Sequence, residues 1–206
     1  MDWQLDAAEA RVLGALLEKE IATPDYYPLS LNALVNACNQ KSNREPVVHY
    51  DEATVEETLS GLRTKGLALR ITGGDSRVPK HGQRFTEQFN LGRREAAVVC
   101  VLMLRGPQTV GELRGRTERL YQFDDLEAVE STLNRLAEMG FVARLPRQAG
   151  FKEPRYGHLL SGAIETLEEP ASPAPSAPSV HDRIAALEAA LADLRRDFDD
   201  FRGRFE

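Results

Sequence analysis

Residues 51–90 read DEATVEETLSGLRTKGLALRITGGDSRVPKHGQRFTEQFN, and their pattern returns at residues 125–160. At an offset of 74 positions Val55 falls on Val129, Leu59 on Leu133, Leu62 on Leu136, Gly66 on Gly140 and Leu67 on Phe141. Each copy sets apolar residues at i, i+4 and i+7, reaches a glycine and continues into a short alternating run. That spacing predicts an amphipathic helix, a glycine C-cap and a β-strand. A polar turn follows, GGDSRVPKHGQ in the first copy and RQAGFKEP in the second, then a second strand, RFTEQF or RYGHLL. Helix, cap and hairpin behind two further helices predict a mainly α chain with small β wings (α+β), built as two tandem winged helix-turn-helix domains.

Upstream of the first copy, Asp6 to Ile21 places Val12, Leu13, Leu16 and Leu17 on one helical face, with Asp6 and Glu9 suited to a capping box. Ser30 is expected to cap a second helix whose inward stripe is Leu31, Leu34, Val35 and Cys38. The third is expected to start near Asp51 or Thr54, with Glu57 completing a box from Thr54. In the second copy, Arg94 to Leu104 and a Thr109-capped helix play the corresponding parts. The first helices align at an offset of 86 and the third at 74, so the first copy holds twelve extra residues around Pro24 to Tyr50. Function, a domain interface or nothing at all would account for them. The expected boundaries are 1–92 and 93–160 for the two domains, 161–179 for a linker and 180–206 for a coiled-coil helix.

The chain has 206 residues, enough for one or two cores, and 42% hydrophobic against 28% charged residues, as in ordinary soluble proteins. Its longest apolar run, Ala96 to Leu104, is far short of a membrane span, and MDWQLDAAEA lacks the basic start of a secretory signal. Cys38 and Cys100 sit in apolar helical patterns without metal-ligand spacing and predict buried, reduced thiols in a cytoplasmic protein. The net charge of −6 is uneven: −4 over 1–30, +3 over 31–94, zero over 95–160 and −5 over 161–206. An acidic total counts against strong non-specific DNA binding but leaves room for a local basic face.

EEPASPAPSAPS, with Pro, Ala and Ser throughout, predicts a semi-extended linker. Beyond it, Val180, Ile184, Leu187, Leu191, Leu194, Phe198, Phe201 and Phe205 alternate spacings of four and three, a heptad seam. The g positions Arg183 and Asp197 would face Glu188 and Arg202 of a parallel partner with opposite charge. Self-association through Ile184, Leu187, Leu191, Leu194, Phe198 and Phe201 is the expectation. A single amphipathic helix folded back on its own domains is the alternative.

The run LSLNALVNACNQKSNREPV at Leu29 to Val47 goes beyond generic patterning. It resembles the signature of the YceH family of bacterial proteins, and TVGELRGRT with AVESTLNRLAEMGFVARLPRQAGFKEPRYGHL is similar to that family too. The resemblance implies a tandem winged-helix fold over about Asp6 to Leu160 and a coiled C-terminal helix. It implies no activity, because the family has none assigned, and it brings no functional residues with it.

Lys41, Asn43 and Arg44, in the loop Asn39 to Pro46, would donate to phosphates; the bland reading has Asn39 capping a helix and Ser42 or Asn43 closing a turn. Arg77, Lys80, His81 and Arg84 cluster on and beside the first hairpin turn, where wings touch DNA, unless they are a solvated turn. Arg63, with Lys65, ends the third helix and suits either phosphate or the helix dipole. Against DNA stands that helix's acidic start, Asp51, Glu52, Glu56 and Glu57, echoed by Asp124, Asp125, Glu127 and Glu130. The sequence holds no Walker A run, GxGxxG, HExxH, GxSxG or CxxC, and four scattered histidines. A non-enzymatic protein without cofactor is therefore expected. It is read first as a DNA-binding regulator of double-stranded DNA that self-associates, and alternatively as a protein-interaction scaffold using its acidic helices.

Overall fold

Two helices that are buried on nearly every side organise the molecule. In the computed structural model, which describes residues 4–73, 76–146, 153–162 and 195, with residues 76 and 77 by backbone only, α1 spans Ala7–Ala22 and α5 spans Arg93–Arg105. Every residue from Glu9 to Leu17 and from Glu95 to Leu104 is buried. A helix covered all round belongs inside a core, which explains the unbroken apolar run of α5. The two helices pack on each other where Gly14 admits Leu104: a Cβ at Gly14 would meet the Leu104 side chain at 3.0 Å. Cys100 donates to the Gly14 carbonyl at 3.5 Å across the same contact.

Around this pair the chain repeats itself. The first copy continues with β1 (Leu29–Ser30), α2 (Leu31–Cys38), α3 (Glu52–Thr64), β2 (Ala68–Gly73), β3 (Ser76–Gln83) and a one-turn helix α4 (Phe85–Gln88). The second continues with α6 (Val110–Thr117), α7 (Leu126–Glu138), β4 (Val142–Arg144) and β5 (Tyr156–His158). The result is mainly helical with small antiparallel sheets, ordered β1-β3-β2 and β4-β5. α3 and α7 agree in detail. Asp51 and Asp125 cap them by accepting from Thr54 and Ala128 N–H, both at 2.8 Å. Gly66 and Gly140 end them at φ 74° and 75°, a left-handed conformation that a Cβ disfavours. The capping oxygen of α3 is thus Asp51, not Thr54: an aspartate one residue before the helix reaches the N3 amide directly. The predicted box at Asp6 with Glu9 is formed. Thr109 caps α6 as expected, and Glu112 completes a box there that the sequence reading did not include.

The hairpins carry one correction. The first copy's second strand is Ser76–Gln83, not RFTEQF. Phe85 and Phe89 lie one helical turn apart and meet Phe141 edge-on, with ring centroids 5.6 and 5.0 Å from it. Pro79 is tolerated in β3 because the register slips between Ile71 and Gly73, placing it in a bulge. The RYGHLL stretch of the second copy holds β5 as expected. β1 pairs with β3 through Leu29 and His81, and an isolated bridge between Gln108 and Tyr156 repeats that contact in the second copy.

Another shared feature was not foreseen. Glu9 in α1 is buried and pairs with Lys65 after α3, while Glu95 in α5 is buried and pairs with Arg94 at 3.1 Å and Arg135 of α7 at 3.5 Å. Each copy thus ties its first helix to its third through an interior carboxylate.

The apolar side chains of both copies form one continuous core, and Met1–Thr166 is one compact unit. Leu167–Glu206 is counted separately; the linker beyond residue 162 and the seam positions Ile184, Leu187, Leu191, Leu194, Phe198 and Phe201 lie outside the described residues. Among the described residues no helix is long and apolar enough to cross a membrane.

Candidate nucleic-acid interface

The predicted cations divide between two places, the junction of the copies and the first hairpin. At the junction the extra residues of the first copy form a loop closed by Asn39, whose side chain bonds both backbone groups of Tyr50 at 2.7 and 2.8 Å. Glu45 N–H donates to the Leu104 carbonyl at the end of α5 at 2.9 Å. Arg11 holds the loop from inside, donating to the Cys38 carbonyl at 3.2 Å and the Pro46 carbonyl at 2.6 Å. The excess therefore docks the first copy on the second.

Arg44 belongs to that docking. Its side chain is fully covered and its guanidinium donates to the Ala37 and Asn43 carbonyls and, at 3.2 and 2.7 Å, to both Glu18 carboxylate oxygens. All five N–H groups are engaged, so Arg44 faces inward and offers nothing to a phosphate. Asn43, exposed and at φ 58°, accepts from Arg105 of α5 at 2.9 Å. Lys41 is exposed. Lys41 and Asn43 line a cleft of about 670 Å³ together with Lys19, Arg105, Arg116 and Arg119. Those four were missed; Arg116 and Arg119, three apart at a helix end, carried a local cationic signal, but nothing local shows that they face Lys41.

On the hairpin, directly paired residues of antiparallel strands share a face. His81 pairs with Arg70 and Leu29, whereas Lys80 pairs with Ile71 and Ser30. His81 is only 4% exposed and is not on the turn. Burial, then the charges of Arg63 and Arg70, push its pKa below the ordinary value, against a smaller pull from Glu56. Arg63 is half-buried, and its Nη1 finds no hydrogen-bond partner. Arg70, also missed, is exposed, and Lys80 is half-buried. Arg84 is exposed beyond the strand and bonds Glu87 at 3.2 Å. The Arg77 side chain lies outside the described residues. Ile71 and Val78 stand 42% and 55% exposed on the same hairpin.

The acidic faces are where the sequence puts them: Glu52, Glu56 and Glu57 on α3 and Glu127 and Glu130 on α7 are exposed. Cys38 and Cys100 are buried free thiols, pushed up by burial, Cys38 to about 12. Among the described residues no group of three His, Cys, Asp or Glu side chains is placed to hold a metal.

Residues 5–151 match the family model described as a protein of unknown function, DUF480. The chain belongs to this family. It is 71% identical to a UPF0502 protein of Solibacter usitatus over the full length of both chains. It is 51% identical to a UPF0502 protein of Pelobacter propionicus, again end to end. A UPF0502 protein of Opitutus terrae is 55% identical over 93% of this chain and 83% of that one. The YceH-like resemblance read from Leu29 to Val47 thus extends to a bacterial UPF0502 family, two of these three relatives matching over the full length of both chains. Family membership assigns no chemistry to either cationic surface.

Proposed function

We propose that the chain is a non-enzymatic tandem winged-helix protein of the DNA-binding regulator type, working in the cytoplasm. Three helices followed by an antiparallel hairpin, twice over, support the winged-helix reading. The observation that carries the DNA reading is the first hairpin. Its strands of six and eight residues outreach the three-residue strands of the second copy, and it exposes Ile71 and Val78, with half-buried Lys80 on the face of Ile71 and exposed Arg70 on the other. Apolar residues flanked by cations suit a wing that enters a groove and grips its phosphates. The third helices do not insert, because their exposed starts would set carboxylates against phosphate.

Arg70→Ala with Lys80→Ala is expected to weaken binding to any duplex. Each lost phosphate contact should reduce the slope of log affinity against log salt by about 0.9. Titration of labelled DNA at several salt concentrations measures this, and unchanged affinity and slope would remove the wing from the site.

The exposed carboxylates of α3 and α7 favour a second reading, a scaffold whose acidic helices meet a basic protein partner. Selection of sheared genomic DNA on the folded protein separates the two, since a scaffold would enrich nothing.

The reading includes self-association of two copies through the C-terminal seam. Leu187→Asp with Leu194→Asp should lower the mass seen by light scattering. A wild-type chain that is already monomeric would end that part of the proposal.

A further inference from the structure

The cleft between the copies has two walls that meet only in the folded molecule. The end of α1 and the loop 40–43 form one; α5 and the end of α6 with residues 118–120 form the other. Five cations line it, Lys19, Lys41, Arg105, Arg116 and Arg119, against two carboxylates, Glu18 and Glu118. Glu18 is already engaged by Arg44 at 2.7 Å and Lys19 at 3.4 Å. Glu112 at 3.3 Å offsets Arg116. Among the described residues neither Lys41 nor Arg119 is held in an ion pair. Burial and the nearby Arg116 charge both press on the Arg105 guanidinium, lowering its pKa. Like charges gathered in a concave, half-covered space are relieved by an anion that enters it.

We infer that this cleft binds a small organic phosphate, its phosphate groups held by Lys41, Arg105, Arg116 and Arg119 and its less polar body lying on Ala22, Val101, Leu104 and Leu120. Arginine forks match phosphate oxygens in pairs, and lysine adds a point charge. The volume of about 670 Å³ lies within the range of small-ligand sites, and a body that enters would rest on half-buried Ala22 and on the edges of Val101, Leu104 and Leu120, which the fold already covers. A duplex would touch the rim and leave the floor empty. Because the ligand would bridge both copies, its binding would stiffen the joint between them and could bias whatever the first copy's hairpin engages. The inference does not depend on the hairpin reading.

The test is an NMR titration of the full-length protein with ADP and with inorganic pyrophosphate as probes. Both are expected to move the amides of Gln40–Asn43, Arg105 and Gly115–Leu120 saturably, with ADP the tighter because its nucleoside reaches the floor. Lys41→Gln with Arg119→Gln, at exposed positions that leave the core intact, should weaken ADP about ten-fold, the size of a lost charge-assisted hydrogen bond. Arg70→Ala with Lys80→Ala should leave ADP binding unchanged even if it abolishes DNA binding. Shifts that never saturate, or an affinity indifferent to the Lys41 and Arg119 changes, would overturn the site. Equal affinity for ADP and pyrophosphate would overturn its organic part. A short duplex that moves the same amides and displaces ADP would make the cleft a nucleic-acid surface instead.

Discussion

Arg44 has a fully covered side chain, and all five of its N–H groups are spent on two carbonyls and the Glu18 carboxylate. Neither ion gains much over well-packed apolar groups, but removing Arg44 leaves the mostly covered Glu18 carboxylate with Lys19 alone, and leaves the loop carbonyls of Ala37 and Asn43 without their donor. Arg44→Met is therefore expected to cost about 3–5 kcal/mol in urea unfolding, and Arg44→Met with Glu18→Met much less than two such losses. Burial alone would raise the Glu18 pKa; the Arg44 hydrogen bonds and charge, with Lys19, outweigh it and hold the group below its ordinary 4.5. A carboxylate with a depressed folded pKa adds stability above its unfolded value and loses it as pH falls through the folded one. Glu18→Gln should accordingly flatten the acid limb of the stability curve below about pH 4.5. His158 loses stability earlier: burial pushes it from 6.5 to about 4, so the unfolded chain takes up its proton first as pH falls between those values. An Arg44→Met loss under about 1 kcal/mol would show that the pair does not anchor the loop.

At the scale of elements, what could be read from the sequence was whatever is set by neighbours within one turn. The i, i+4, i+7 stripe of α3 and α7, the capping box at Asp6, the Thr109 cap and the glycines at 66 and 140 all involve residues a few positions apart. β3 was not legible, since SRVPKHGQ has the composition of a turn and becomes a strand because β1 and β2 pair with it on both sides. RFTEQF shows the converse: Phe85 and Phe89 look like strand residues until Phe141, more than fifty positions on, pulls them onto one helical turn. The candidate surfaces divide the same way. Lys41 was readable as an exposed loop cation, but Arg44, three residues on, is interior because Glu18 waits across the fold. Lys19, Arg105, Arg116 and Arg119 come from three helices and their ends, so only packing reveals that they face one space.

At the scale of the molecule, the question is whether the two copies are domains joined by a linker or halves of one folding unit. α5 answers physically: its residues Glu95–Leu104 are covered on all sides, so the second copy cannot leave the first without exposing one flank of its own central helix. At Gly14 the two helices are in close contact, since an added Cβ would come within 3.0 Å of Leu104 and 3.2 Å of Met103. Gly14→Val should thus overpack the contact at a cost of about 1–3 kcal/mol, and Leu104→Ala should lose about 2–5 kcal/mol to the cavity it leaves. Combined, the new valine fills part of the space the leucine vacates, so the double variant should be more stable than the sum of the two losses predicts. The coupling would be about 0.5–3 kcal/mol, as for residues in direct contact. Wild-type unfolding should pass through one transition, with near-ultraviolet and far-ultraviolet circular dichroism coinciding. Strict additivity would mean that α1 and α5 do not rest on each other at Gly14. Two separated transitions in the wild type would mean that the copies fold alone, and the cleft between them would then open without unfolding either.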